Sequence, residues 1–268
     1  MSRRKISNEL WATLEQLIPA FTPSPKGGRR RAVDDRAALN GILYVLQTGI
    51  PWEDLPQELG FGSGMTCWRR LRDWQAAGVW KLQHLAMLRR SREHDQIDWE
   101  RASLDAASVP SPPGGQQTGP NPTDRGKLGS KRHIVVDARG VPLAVTVTGA
   151  NRHDSMAFEP TLDAIPAVSG LGGQPRKRPG KLHADKGYDF ARCRRYLKQR
   201  GITARIARRG VESKERLGGH RWVVERTHVW FAGFGKLRIR FERRLDIHSA
   251  LLSLAAAVIC SRFVEDLC

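Results

Sequence analysis

The chain has 268 residues, with 45 Lys or Arg against 27 Asp or Glu, so its formal net charge is +18. With 40% hydrophobic residues and eight Trp, the composition is that of a globular protein with a sizeable core and excludes a disordered chain. The longest apolar run, Ala250 to Cys260, is shorter than the roughly 20 residues of a membrane helix, and the four scattered Cys lack metal or disulfide spacing. We therefore expect an intracellular soluble protein with no membrane partner.

The positive charge is concentrated in one quarter of the sequence. Residues 176–244 hold 22 Lys or Arg and six Asp or Glu, whereas the rest of the chain holds 23 and 21. Such a concentration repels itself unless a polyanion neutralises it, which indicates nucleic acid as the partner. A solvated basic face that only aids solubility is the alternative interpretation.

The first ninety residues are predicted to be helical. Asp34 or Asp35 can begin a helix with an apolar stripe that ends at Gly49, and a glycine-broken stretch leads to a helix over Met65–Ala77. A further helix covers 79–95. This order is compatible with helix-turn-helix recognition of DNA, with three arginines of the Met65–Ala77 helix as contacts, although a small helical bundle would give the same pattern. These arginines are Arg69, Arg70 and Arg72.

After residue 97 strands alternate with helices, which predicts a mixed sheet flanked by helices. The predicted strands are Ala102–Val109, His133–Asp137, Leu143–Thr148, Lys181–Ala184 and Ile202–Ala207. Loop insertions are expected at 110–130 and 167–180. The predicted helices begin at Asp154 or Ser155, and cover Tyr188–Arg200, His220–Phe231 and Asp246–Val264.

Three carboxylates of this α/β region stand at positions where a carboxylate is unusual. Asp105 lies within the first predicted strand, Asp185 follows another strand, and Glu225 lies in a Val- and Trp-rich helix. A carboxylate in such a place needs a partner or a cation, so ordinary salt bridges to the abundant basic residues are the main alternative. Brought together, three carboxylates can hold two Mg²⁺ ions and direct an in-line attack on a phosphodiester. Four arginines of the basic quarter are candidate phosphate contacts: Arg194, Arg195, Arg208 and Arg209.

Five segments carry a resemblance to a known family. They are Leu104-Asp105-Ala106-Ala107-Ser108-Val109, Gly119-Pro120-Asn121-Pro122-Thr123-Asp124-Arg125-Gly126-Lys127, Gly149-Ala150-Asn151-Arg152-His153-Asp154-Ser155, Leu182-His183-Ala184-Asp185-Lys186-Gly187-Tyr188-Asp189 and Arg221-Trp222-Val223-Val224-Glu225-Arg226-Thr227. Together they resemble the bacterial insertion-sequence transposases of the Asp-Asp-Glu type, in the group named after insertion sequence five. Residues 1–80 also resemble the helical N-terminal part of that group.

The resemblance implies a ribonuclease-H-like catalytic fold with Asp105, Asp185 and Glu225 as catalytic and metal-binding triad. The cofactor would be two Mg²⁺ ions, which Mn²⁺ could replace. Arg221 and Glu225 match the Arg-x3-Glu core of a wider signature, while Gly218 and Ala232 depart from its outer positions and Lys236 could serve in place of the latter. Lys127 and Lys186, within the matching segments, are further candidate DNA contacts, as are Arg221 and Lys236.

The function that follows is transposition. A helical domain over 1–95 would bind the terminal repeats of the element, and a catalytic domain over 96–268 would hydrolyse the phosphodiester at its ends. The freed 3′-hydroxyl would then be joined to target DNA by transesterification. The resemblance further implies a bacterial cytoplasmic protein at the nucleoid that pairs two element ends as a homodimer or larger assembly. The alternatives are a DNA-binding protein without enzymatic activity and a ribonuclease-H-like nuclease that cleaves other substrates without joining strands.

Overall fold

The computed structural model describes residues 6, 8–21, 33–208, 210 and 218–265. Among the described residues of the first part of the chain there are four α-helices, and the prediction of a helical N-terminal region is confirmed. Asp34 begins the second of them, because its Oδ1 accepts a hydrogen bond from the N–H of Ala37 at 2.8 Å, and Gly49 ends it with φ +79°. The four are α1 (Asn8–Glu15), α2 (Asp35–Thr48), α3 (Gly64–Ala76) and α4 (Val79–Glu93).

A six-stranded mixed sheet follows, as the alternation of strands and helices predicts. The main order is β2-β3-β1-β5-β6, and β4 pairs with β3. Strand β3 pairs antiparallel with β1, β2 and β4, whereas β5 pairs parallel with both β1 and β6. The strands are β1 (Arg101–Pro110), β2 (Gly119–Pro120), β3 (Leu128–Asp137), β4 (Pro142–Gly149), β5 (Lys181–Ala184) and β6 (Thr203–Ile206).

Four further helices complete the fold: α5 (Phe158–Asp163), α6 (Ala191–Gln199), α7 (Gly218–Ala232) and α8 (Leu245–Glu265). Two of them begin later than the sequence predicts. A 3-10 turn over Asp154–Ala157, begun by His153, precedes α5. Another 3-10 turn over Lys186–Tyr188 delays α6 to Ala191, because Phe190 is extended.

The two faces of the sheet are covered by different sets of helices. Leu104, Leu182 and Ala184 lie in one apolar cluster with residues of α4, α5 and α6. Ile134 and Val136 lie in a second cluster with residues of α2, α3, α7 and α8. The N-terminal helices therefore share an apolar core with the last two helices of the chain.

Helix α8 is long and apolar. Its segment Leu245–Val264 has the length and hydropathy of a membrane span, but 72% of it is buried inside the protein. It packs on α3, α4 and β4. The segment is longer than the Ala250–Cys260 run on which the sequence argument relied, and its burial is typical of the core helix of a globular fold.

Candidate active site

The parallel register of β1 and β5 places two of the three candidate carboxylates at neighbouring positions. Arg101 lies beside Lys181, and Ser103 lies beside His183. Asp105 follows Ser103 by two residues, and Asp185 follows His183 by two with an extended backbone (φ −79°, ψ −179°). Since side chains alternate between the faces of a sheet, both aspartates lie on the same face, on adjacent strands.

Each aspartate is held by its local backbone. Asp105 is half-buried in the middle of β1 and lies opposite Ile134 of β3. Asp185 is half-buried where β5 ends, and its Oδ1 accepts a hydrogen bond from the N–H of Gly187 at 2.8 Å. This turn fixes one carboxylate oxygen of Asp185 at the carboxyl end of the parallel strands, where ligands bind in open α/β sheets.

Glu225 lies on α7, the helix that packs on β1 and β3. Its side chain is exposed, whereas those of Val224 and Thr227 on the same helix are buried. Within the described residues, no group of three or more His, Cys, Asp or Glu side chains is gathered closely enough to hold a metal ion. The structure thus brings Asp105 and Asp185 together by register and leaves Glu225 on the covering helix.

The residues present fit a hard divalent cation by the chemistry of their donors. Two half-buried carboxylates on adjacent strands, with a third on the helix above, offer the oxygen ligands that Mg²⁺ takes. Several histidines, by contrast, are engaged elsewhere. His133 Nε2 lies 2.8 Å from the hydroxyl of Thr148, and the Nδ1 of His228 lies 3.3 Å from the guanidinium of Arg132.

A buried contact fixes α7 against the sheet close to Asp105. Arg132 of β3, 4% exposed, donates to the carbonyl oxygen of His228 at 3.2 Å, and its guanidinium lies 4.8 Å from the ring centre of Phe231. Burial and the charge of Arg132 lower the pKa of His228 to about 3, so this imidazole is neutral. One helical turn separates it from Glu225.

The turn between β3 and β4 also contacts the same helix. Asp137 is fully buried and accepts hydrogen bonds from the backbone N–H groups of Asp98 (2.8 Å), Arg139 (3.0 Å) and Val141 (2.7 Å). The turn that Asp137 holds accepts a hydrogen bond from α7, because Arg226 donates to the carbonyl oxygen of Arg139 at 2.5 Å. Asp137 therefore links the start of β1 to the position of α7.

Composition and spacing did not single out Arg132, His228 or Asp137. A signal for Asp137 was present, because an aspartate followed by Ala138-Arg139-Gly140 is typical of a side chain that caps a tight turn. For Arg132 and His228 the sequence offered none, since their contact joins residues that are 96 positions apart.

The candidate DNA-contacting residues divide by their exposure. Three of them make contacts within the fold. Arg70 is buried and pairs with Asp35, and Lys236 is 7% exposed and donates to the carbonyl of Ile50 at 3.2 Å. Arg194 donates to Asp189 at 2.6 Å. Each of these three side chains therefore joins two segments of the fold.

The other candidate DNA contacts lie at the surface or outside the described residues. Arg69, Lys127, Arg195 and Arg208 are exposed, and Lys186 is half-buried beside Asp185. Arg72 is half-buried and pairs with its neighbour Asp73 at 2.7 Å. Arg209 and the side chain of Arg221 lie outside the described part of the chain.

Comparison with known proteins agrees with this architecture. Residues 100–260 match the family described as "Transposase DDE domain", and residues 6–84 match that described as "Putative transposase of IS4/5 family". The first match covers the sheet, α5, α6 and α7 and most of α8, and it implies that the fold is ribonuclease-H-like. The second covers the helical N-terminal region up to the middle of α4.

Individual relatives point the same way. A "Putative transposase for insertion sequence element IS402" of Burkholderia cepacia is 55% identical over 147 residues, which are 55% of this chain and 70% of the relative. A second protein of the same element, the "Insertion element IS402 uncharacterized 16.2 kDa protein", is 50% identical over 123 residues, 46% of this chain and 84% of that protein. The "Transposase for insertion sequence element IS1106" of Neisseria meningitidis serogroup B is 28% identical over 134 residues, 48% of this chain and 43% of that protein. The chain therefore belongs to the family of insertion-sequence transposases with a DDE domain.

Proposed function

We propose that this transposase binds the terminal inverted repeats of its element, hydrolyses the phosphodiester at each end and joins the freed 3′-hydroxyl to target DNA. The observation that carries the proposal is the register of β1 and β5, which puts Asp105 and Asp185 on one face of adjacent strands. The positive charge of residues 176–244 supports DNA as the substrate. We place the reaction in the bacterial cytoplasm, on the chromosomal DNA.

In this proposal Asp105, Asp185 and Glu225 hold two Mg²⁺ ions, with Mn²⁺ as a possible replacement. Such ions supply activation of a water or hydroxyl and stabilise the leaving oxygen in an in-line displacement. The chain itself orients the ligands. Strand β1 fixes Asp105, the hydrogen bond from Gly187 fixes Asp185, and the packing of α7 on β1 sets the height of Glu225 above the sheet.

The rest of the proposed function concerns DNA ends. Helix α3 presents Arg69 to solvent, with Arg72 half-buried beside it, so this helix is our candidate for recognition of the terminal repeats. Lys127, Arg195 and Arg208 are exposed on the catalytic part and are candidates for contacts to phosphates. Because two ends must be joined in one event, we propose that at least two copies of the chain act together.

The test uses the full chain and duplex DNA taken from the flanks of its own gene, with Mg²⁺ or with EDTA. Asp105→Asn, Asp185→Asn and Glu225→Gln should each reduce end cleavage roughly a hundredfold or more, since a lost ligand removes several kcal/mol of charge stabilisation. All three should still bind DNA. Asp163→Asn, which changes an aspartate that is 61% exposed and paired with Arg200, is the matched control and should cleave normally.

The outcomes separate the three candidate functions. Cleavage and strand joining that both require the triad support a transposase. Cleavage without joining, under conditions in which labelled target DNA is present, would instead identify a nuclease. Binding without any metal-dependent cleavage by the unchanged chain would identify a DNA-binding protein and overturn the catalytic proposal.

A further inference from the structure

The sheet face that carries the two aspartates has an ordered gradient of charge along its parallel strands. On β1 the residues of this face are Arg101, Ser103 and Asp105, because side chains alternate. On β5 and just after it they are Lys181, His183 and Asp185. The register pairs Arg101 with Lys181 and Ser103 with His183. Two adjacent strands thus run in step from a cation, through Ser103 or His183, to a carboxylate.

The third parallel strand adds a cation beside the middle of this gradient. Arg205 of β6 lies beside His183 of β5, so it lies on the same face. Arg205 and Lys181 are exposed, and Arg101 is half-buried. Since β6 is the last strand of the main path, its cation stands at the edge of the sheet.

These residues line an open cleft of about 550 Å³, which is completed by Asp98 and Glu100 from the segment before β1. Helix α7 packs on β1, β3 and β5, and the cleft is lined by the first residue of β1, by β5 and by Arg205 of β6. The two acidic residues leave a surplus of cations. Asp98 also has a structural role, because its Oδ1 accepts the N–H of Glu100 at 2.8 Å.

We infer that this cleft binds the phosphodiester backbone of the DNA strand whose continuation reaches Asp105 and Asp185. The inference rests on the proposed function and adds the path of the substrate to it. Lys and Arg side chains spread over neighbouring strands are the groups that hold DNA phosphates without reading sequence. Arg101 and Asp105 are four residues apart, about 13 Å along a strand. The phosphates in the cleft are therefore neighbours of the reacting phosphate.

The middle of the gradient fits the same path. Ser103 and His183 lie between the first cations and the carboxylates, and Arg205 lies beside His183. A strand that enters over Lys181 and Arg205 keeps its phosphates beside cations until it comes to the carboxylates. There, a phosphate would be repelled unless divalent cations intervene.

The experiment measures DNA binding without divalent metal, as a function of salt. The double variant Lys181→Gln with Arg205→Gln removes two exposed cations of the cleft. Loss of two phosphate contacts should reduce the slope of log K against log salt by roughly 1.8 for duplex DNA. The weakening should be similar for terminal-repeat and unrelated duplexes, because phosphate contacts carry no sequence information.

The matched control is Arg89→Gln with Lys198→Gln. These two residues are also exposed and also an Arg and a Lys, but they lie on α4 and α6, whose residues pack on the other face of the sheet. The control should keep the slope of the unchanged chain. Thermal unfolding of both double variants should match that of the unchanged chain, so that a change in slope reports lost contacts.

The result distinguishes this inference from the proposed function. If the cleft variant keeps the slope of the unchanged chain, or if the control loses as much as the cleft variant, the cleft is not the DNA path, whatever the cleavage assay gives. If the slope falls in the cleft variant alone, the path is supported even where the triad variants show that the catalytic assignment is wrong.

Discussion

Arg70 of α3 forms an ion pair with Asp35 of α2, in a contact that is almost closed to solvent on the arginine side. The same guanidinium donates to the carbonyl oxygen of Val33 at 3.2 Å. Arg69, which precedes Arg70 on the helix, is exposed. Two consecutive arginines of one basic run therefore have different surroundings, because successive residues of a helix point about 100° apart.

These two arginines should respond differently to the same substitution. Arg70→Gln leaves Asp35 without its partner and should lower the free energy of unfolding by roughly 2–4 kcal/mol. Arg69→Gln should change it by less than about 0.5 kcal/mol and should weaken DNA binding. Urea unfolding and DNA binding of the folded variants measure both effects. An Arg70→Gln protein that is fully stable but has lost DNA affinity would make Arg70 a DNA contact.

Asp137 should be among the carboxylates that matter most for stability. Asp137→Ala would leave three backbone N–H groups without their acceptor, of which that of Val141 is buried and those of Asp98 and Arg139 are partly buried. A buried unsatisfied group costs about 1–3 kcal/mol, so we expect a loss of about 2–3 kcal/mol in the free energy of unfolding. Asp163→Ala, at an exposed ion pair, should cost less than about 1 kcal/mol. Equal losses in the two variants would contradict the role assigned to Asp137.

The pH dependence of stability should reflect buried histidines and a buried aspartate, whose pKa shifts change the stability in opposite directions. Burial lowers the pKa of His133 to about 4 and of His248 to about 3, below the ordinary 6.5. The unfolded chain takes up these protons first, so their contribution to stability is present above pH 6.5 and is lost as the pH falls toward 4. We expect urea midpoints to fall over this range.

Asp137 should oppose that trend. Its burial raises its pKa from 3.8 to about 6, so the folded state binds the carboxyl proton more tightly than the unfolded chain does. The contribution of Asp137 to stability therefore falls as the pH rises from 4 to 6. Asp137→Asn removes this compensation. The acid loss of stability, measured against the variant's own value at pH 7, should steepen by up to about 1.4 kcal/mol per pH unit. An unchanged or shallower slope would show that the carboxyl does not titrate in this range.

Gly235 should not tolerate a side chain. A Cβ on Gly235 would lie 2.5 Å from the carbonyl oxygen of Thr48 and 2.8 Å from the backbone nitrogen of Gly49. Because these neighbours are backbone atoms, Gly235→Ala should cost about 1–3 kcal/mol in the free energy of unfolding. Gly172→Ala is the control, since a Cβ there meets nothing within 4 Å and should have little effect. Differential scanning calorimetry of the two variants would measure the difference.

Much of the fold was open to prediction because its signals are local. The hairpin of β3 and β4 was readable from two apolar runs around Ala138-Arg139-Gly140, and the end of α2 from Gly49. The starts of α5 and α6 were not, because 3-10 turns at Asp154–Ala157 and Lys186–Tyr188 depend on side-chain contacts with the backbone that compete with the helix.

The sequence by itself determined the charge of +18, its concentration in 176–244, the order of helices and strands and the three carboxylate motifs. Only the tertiary structure decided which charges belong to the surface. It buried Arg70 and Lys236, engaged Arg194 with Asp189 and aligned Arg101 with Lys181. The physical reason is that burial and strand register depend on residues far apart in the chain, and charge alone carries no information about either.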